Sequence, residues 1–310
     1  MSILVVGSVA FDSIESPAGR AERCLGGAAT YFSLAASYFT DVRVIAVVGE
    51  DFTEAEEAVL LKRGVDTSGL EHAAGKSFFW AGNYLDNLNE AKTLTTELNV
   101  FETFSPKVPP QYLDSEFLFL ANIDPVLQLK VRQQMPKVRM VCGDTMNYWI
   151  NGHRENLLKV LPGLDALLIN DTEAKLLGGG SNLLRAAEEI LAMGLNSIII
   201  KHGEYGATAF FSERSFPGQA KISHPFRAPA LPLAEVIDPT GAGDSFAGGF
   251  FGYVASQPAL TPEVFKRGLF YGGVMGSFAV ERFGTERLQS LSREEIDARF
   301  DLFREMSHLG

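Results

Sequence analysis

The sequence predicts an α/β protein with a central, mostly parallel sheet flanked by helices. Three observations predict it. Short β-branched runs recur along the chain, helical patterns lie between several of them, and a glycine-rich stretch late in the chain opens a helix. Strands that alternate with helices bury both faces of a parallel sheet. The 310 residues, 46% hydrophobic and 21% charged, suit one large domain over 1–310.

The elements follow in order. Residues 3–7, ILVVG, read as a buried strand that ends in a loop. Runs at 42–48, 117–121, 138–142, 166–169, 197–201 and 207–211 repeat that pattern. Helical spacing appears at 28–39, at 54–63 closed by Gly64, and at 182–193. In the last, Asn182 caps the start, Leu183, Leu184, Ala187, Ile190 and Leu191 share a face, and Gly194 ends it. From Asp244 onward the chain reads as mainly helical. Residues 77–104 break the alternation: SFFWAGNYL, a polar turn DNLNE, then TLTTELNVFETF. Leu94, Leu98, Val100 and Phe104 would give one apolar strand face of a hairpin, with Phe78, Trp80 and Tyr84 on its inner side. Spacing alone fits an extra edge pair or a mobile lid.

Composition narrows the function. A net charge of −11 repels phosphate backbones and argues against nucleic-acid binding. Two distant cysteines, Cys24 and Cys142, exclude a disulfide framework or a thiolate zinc cluster, and a reducing cytoplasm is the natural compartment. The histidines (72, 153, 202, 224 and 308) show no metal-ligand spacing. No apolar run approaches the roughly 18 residues of a membrane span, and the glycine-bearing 246–255 is the longest candidate. The N-terminus lacks a basic region and carries Asp12, so it does not read as a signal peptide.

The most informative stretch is DPTGAGDSFAGGF at 238–250. Gly241 and Gly243 let an anion approach the backbone, and the following helix offers free N–H groups and a positive dipole end. That dipole favours an ionised Asp244, as a base requires. Three readings compete: an ordinary glycine-rich helix start, a dinucleotide fingerprint, or a phosphoryl-transfer site. The dinucleotide reading lacks its downstream strand, since Pro258 and Pro262 follow. No Walker A loop is present; Gly75-Lys76-Ser77 is a near miss with Leu70 where the first glycine belongs.

DPTGAGDSFAGGF resembles the C-terminal signature of the PfkB family, the ribokinase-like sugar and nucleoside kinases. Asp12 after the first strand, Gly26-Gly27 before a helix, NDTE at 170–173 and the glycines of 203–207 agree in order, so the resemblance spans essentially the whole chain. It implies a Rossmann-like ribokinase fold and a small antiparallel β lid from about 12–25 and 76–105. It also implies ATP- and Mg²⁺-dependent phosphorylation of a hydroxyl. By the same resemblance Asp244 is the catalytic base, and Gly241, Ala242 and Gly243 are the anion hole. Asn170 and Glu173 orient water around Mg²⁺. Asp12, Gly26, Gly27 and Tyr31 face the acceptor. Gly203, Gly206 and Thr240 face the nucleotide, and Asp238 with Thr240 holds a monovalent cation such as K⁺; Lys201, itself a departure from the family pattern, could reach a nucleotide phosphate or simply end a strand in solvent.

Each position also has a plainer reading. NDTE is a helix cap, Asp12 a solvated loop acid, Gly26-Gly27 a tight turn, and Asp238 and Thr240 formers of a turn around Pro239. Two departures bear on the substrate. Tyr31 stands where ribokinases commonly carry Asn, and Lys201 where Thr is usual. Tyr31, Phe79 and Trp80 could stack on a sugar face or a nucleobase, or fill the core. The expected function is phosphorylation of a hydroxyl of a small sugar or sugar-like metabolite. The alternatives are a nucleoside kinase, a non-catalytic ligand-binding relative and an NAD-dependent oxidoreductase. The hairpin's apolar residues predict a homodimer through the lids.

Overall fold

A computed structural model describes residues 1–85, 87–219 and 224–307. Asp86, in the expected hairpin turn, and His308 lie outside the described residues. The first half runs β1 (Ser2–Val6), β2 (Ala10–Ser16), β3 (Gly19–Gly26), α1 (Ala28–Ala36), β4 (Asp41–Val48), α2 (Glu54–Lys62), β5 (Asp66–His72), β6 (Phe78–Asn83), β7 (Lys92–Glu97), β8 (Phe117–Leu120) and α3 (Pro125–Gln134). The second half runs β9 (Met140–Asp144), α4 (Asn147–Gly152), α5 (Arg154–Val160), β10 (Ala166–Asn170), α6 (Asp171–Gly178), α7 (Leu183–Ala192), β11 (Ser197–Lys201), β12 (Ala207–Phe211) and β13 (Phe226–Ala228). The helices α8 (Ala242–Ala255), α9 (Pro262–Ala279), α10 (Glu286–Ser290) and α11 (Arg293–Ser307) close the chain.

A nine-stranded sheet has the order β13-β12-β11-β10-β9-β8-β1-β4-β5. The pairs from β11 to β5 are parallel, and β12 and β13 add antiparallel strands at one edge. Alternate residues of β1 enter opposite cores: Ile3 and Val5 on one face, Leu4 and Val6 on the other. That is the signature of a parallel sheet covered on both sides. On one face Phe32 of α1 stacks on Phe119 of β8 at 4.1 Å, and Phe251 of α8 packs beside it. The strand order runs outward in opposite directions from β1 and β8, so the crevice beyond their carboxyl ends is where such sheets bind ligands.

The small sheet has the order β3-β2-β6-β7. It is two antiparallel hairpin-like pairs, β3-β2 and β6-β7, joined by parallel pairing of β2 with β6. Its strands overlap the segments 12–25 and 76–105 expected for the lid, with β2 beginning earlier, at Ala10, and β3 ending later, at Gly26. The apolar face expected from Leu94 to Phe104 does not form as one strand. β7 ends at Glu97, and Asn99–Thr103 is a 3₁₀ turn. Val100 and Phe104 of that stretch enter the core beneath the large sheet, and Phe78 stacks on Phe101 at 5.4 Å. Val100 lies inside that turn and Phe104 just after it, so the turn's geometry and not a strand's alternation sets which side chains point inward.

α8 sits close against its neighbours because glycine lines it. A Cβ at Gly249 would lie 2.5 Å from the Tyr271 carbonyl of α9, and one at Gly252 would lie 2.9 Å from the Ala36 Cα. This tight packing fixes the N-terminus of α8 at the crevice.

Candidate active site

The first turn of α8 begins at Gly241, whose φ of 71° belongs to the left-handed region. The face of the Tyr31 ring lies directly against this glycine, where any side chain would overlap it. Tyr31 is therefore a buried floor beneath the loop, 1% exposed, and not an open stacking surface. Its hydroxyl has no hydrogen-bond partner. A Cβ at Gly243 would lie 2.8 Å from Lys201 Nζ, so the ammonium at the end of β11 stands beside the glycine loop.

Asp244 follows in the same turn. Burial lifts its pKa above the ordinary carboxylate value, while Lys201 and a backbone N–H of its own turn pull it down. The helix dipole is expected to favour the ionised form; burial, the largest influence on Asp244, acts against it. Lys201 acts on two more acids. Burial raises Asp144 well above the usual range, with Asp244 adding to the rise. Burial also raises Glu173, again against Lys201. Asp144 Oδ1 is buried with no hydrogen-bond partner.

Asn170 and Glu173 form a capping box at the start of α6. Glu173 N–H donates to Asn170 Oδ1 at 2.8 Å, and Asn170 N–H donates to Glu173 Oε2 at 2.8 Å. The plain reading of NDTE is therefore present, and the box holds Glu173 among Lys201, Asp244 and Asp144. Among the described residues no group of three or more acidic, histidine or cysteine side chains could hold a metal unaided.

On the other side of Asp244, Asp12 lies on β2 and is 5% exposed. A side chain at Gly26 would overlap its carboxylate. Burial raises the Asp12 pKa to about 7, a hydrogen bond from the Gly27 backbone lowers it, and Asp238 and Asp244 push it up further. Gly27, at φ 92°, starts α1, and a Cβ there would lie 2.5 Å from the Ser8 carbonyl. Asp238 is wholly buried. Its oxygens accept from Thr240 N–H and Gly284 N–H, both at 2.8 Å, so it anchors the glycine loop to the segment after α9. Thr240 Oγ1 donates to the Tyr84 hydroxyl at 3.2 Å, which turns it toward the small sheet.

A cavity of about 530 Å³ opens on the other flank, lined by Asn170, Thr172, Lys201, His202, Gly203 and Arg227 among others. Gly206 is not brought to it; that glycine packs against the carbonyl of Ala228 at the end of β13. The near-miss Ser77 is a turn residue: its hydroxyl accepts from Gly49 N–H and donates to Asp51.

Sequence reasoning passed over three residues. Asp144 ends a buried strand at the ligand-binding edge of the sheet, and that position is the signal that could have found it. Tyr84 and Asn89 reach the site only through tertiary contacts of the small sheet.

Residues 2–290 match the family described as pfkB family carbohydrate kinase. The chain belongs to this family. It is 27% identical over 267 residues to the cytidine kinase of Thermococcus kodakarensis, covering 83% of this chain and 90% of that protein. Its fold is similar to a nucleoside kinase of Methanocaldococcus jannaschii, an archaeal member of the ribokinase family (TM-score 0.74, 19% identity, 97% and 98% of the two chains). It is also similar to a Vibrio cholerae fructokinase solved with fructose, ADP and calcium (TM-score 0.78, 14% identity, 96% and 98%). PfkB kinases transfer phosphate from ATP, and the described residues include no helix long and apolar enough to cross a membrane.

The raised pKa of Asp12 makes a stability prediction. The unfolded chain ionises this carboxyl near the ordinary value of 3.8, the folded chain only near 7. Its contribution is fully present below 3.8 and is lost as pH rises to about 7. Asp12→Asn should therefore gain stability relative to the parent as pH rises from 4 to about 7, with no further change above. Urea unfolding of both proteins across that range measures it.

Proposed function

We propose that this PfkB-family chain is an ATP-dependent kinase that phosphorylates a hydroxyl of a nucleoside. The observation that carries the kinase reading is the place of Asp244, beside the Gly241–Gly243 backbone and Lys201, between the Asp12 region and the large polar cavity. The nucleoside choice over the expected sugar is supported by the cytidine kinase relative, which the chain matches over 90% of its length.

In this reading the Asp12 carboxylate accepts hydrogen bonds from acceptor hydroxyls, beside the Gly26-Gly27 backbone and with the Tyr31 hydroxyl facing the same carboxylates. Asp244 takes the proton of the attacking hydroxyl; its raised pKa brings it closer to the working pH of a base. The oxygen attacks the γ-phosphorus in line as the bond to the ADP oxygen breaks. The backbone N–H groups of 241–243 and the Lys201 ammonium face the charge on the phosphoryl in flight. Lys201 and Gly203 line the nucleotide's cavity.

Mg²⁺ fits the arrangement through water: Asp144 keeps an unpartnered buried oxygen, Glu173 lies within its field, and Mg²⁺ ordinarily takes one or two carboxylates plus substrate phosphates. When bound it neutralises charge on the phosphates. The unpaired Cys24 and Cys142 support a cytoplasmic setting.

The test is ADP release measured over nucleosides, pentoses and hexoses. We expect a nucleoside to be the best acceptor. Asp244→Asn should lower kcat roughly 10²–10⁴-fold with ADP affinity unchanged. Turnover on sugars alone would overturn the nucleoside reading, and near-parental turnover by the variant would overturn the base.

A K⁺ site beside the loop belongs to the same proposal. Burial raises the Asp238 pKa even against its two backbone hydrogen bonds, an environment in which a cation favours the ionised form. Rates should be higher in K⁺ than in Na⁺ at fixed ionic strength; equal rates leave Asp238 as a loop anchor.

Pairing of two copies through the small sheet is the remaining element. Leu94 and Leu98 are 55% and 44% exposed, and every residue of β7 is exposed, although Tyr84 and Val100 are buried and cannot contribute. Light scattering at micromolar concentration should give a dimer that Leu94→Asp with Leu98→Asp converts to monomer; a parent that is monomeric refutes it.

A further inference from the structure

The turn between β6 and β7 reaches the cavity on the Lys201 flank. Asn87 and Asn89 on that turn, with Glu90 after them, line the same cavity as Lys201 and Gly203. Asn87 Oδ1 accepts from Asn89 N–H at 2.9 Å, which sets the turn's shape. The Asn89 carboxamide then lies directly against Gly203, where any side chain at that glycine would overlap it. Glu90 Oε1 accepts from Thr172 Oγ1 at 3.3 Å. The small sheet's turn therefore bears on two elements that line the cavity, the first turn of α6 and the loop after β11.

Lys201 connects this wall to the reacting end. Its ammonium stands beside Gly243, and Gly203 follows it by two residues. A phosphate chain that runs from the glycine loop past Lys201 passes the Asn89 carboxamide. We propose that Asn89 is a nucleotide-contacting residue, which donates an amide N–H to the phosphate chain from the small sheet's side of the cavity. The assignment rests on the kinase reading above. A carboxamide suits this place because it donates without adding charge to a cavity that already holds Glu90 and Asp171. An aspartate here would add a third acid facing a polyanion.

The experiment is calorimetric titration of ADP and of AMP into the full-length parent, Asn89→Ala and Asn89→Asp, without acceptor. The alanine variant should bind ADP roughly 10-fold more weakly, the loss of one hydrogen bond to a charged group. The aspartate variant should lose more, and its loss should be larger for ADP than for AMP. KM for the acceptor should stay unchanged in both. Asn89 is exposed on its turn, so equal melting temperatures of the three proteins are expected. ADP binding that is equal in parent and variants overturns the Asn89 assignment and leaves the kinase reading standing. Equal losses for ADP and AMP also overturn it, because a merely structural role moves both alike. A parent that binds neither ADP nor an ATP analogue overturns the kinase reading, and Asn89 with it.

Discussion

The electrostatics of the site turn on one ammonium among buried acids. Lys201 opposes the burial of Asp144, Glu173 and Asp244, and it sits against the glycine loop. Without a cation there, three carboxylates leaving water together would each resist ionisation. The lysine ends an interior strand of the sheet, β11, so its reach is set by the sheet and not by a loop. The acids come from three elements: the end of β9, the first turn of α6 and the first turn of α8. Each of these must therefore hold its register for the charges to balance.

Close packing supplies that register. The Tyr31 ring under Gly241 ties the start of α8 to α1, and Asp238 ties the same loop to Gly284. Glycines along α8 bring it against both α1 and α9. The loop's backbone N–H groups are thus held in place by the Tyr31 ring beneath them and the Asp238 anchor. Preorganisation of this kind lets fixed dipoles stabilise charge without reorganising during the reaction.

Much of this was legible in the sequence. Seven of the nine strands of the large sheet lie within two residues of the runs that predicted them, because buried strands read as continuous apolar runs; β5, whose residues are largely polar, had no such run. The Asn182 cap and the helix after Gly241 followed from local chemistry alone. What stayed hidden is non-local. The pairing of β2 with β6 leaves no local trace, and neither does the contact of Asn89 with Gly203. Tyr31 looked like a binding aromatic because its position in the motif was visible and its burial was not. Val100 and Phe104 looked like a strand face because their even spacing matches a strand's period, although Asn99–Thr103 is a 3₁₀ turn. β13, three residues long, offers too little pattern to read.

The bond from Gly284 N–H to Asp238 has a consequence for how the molecule assembles. β1, near the beginning of the chain, is central in the sheet, α1 packs on α8, and the glycine loop is anchored from beyond α9. The site is thus closed by contacts between early and late segments. Such closures carry a large entropic cost before any contact repays it, and they slow folding. An emerging chain cannot complete the loop until the segment after α9 has left the ribosome. Until α8 itself has emerged, the apolar face of β1 and β8 that it covers is open, which leaves the partly made chain exposed to misassociation.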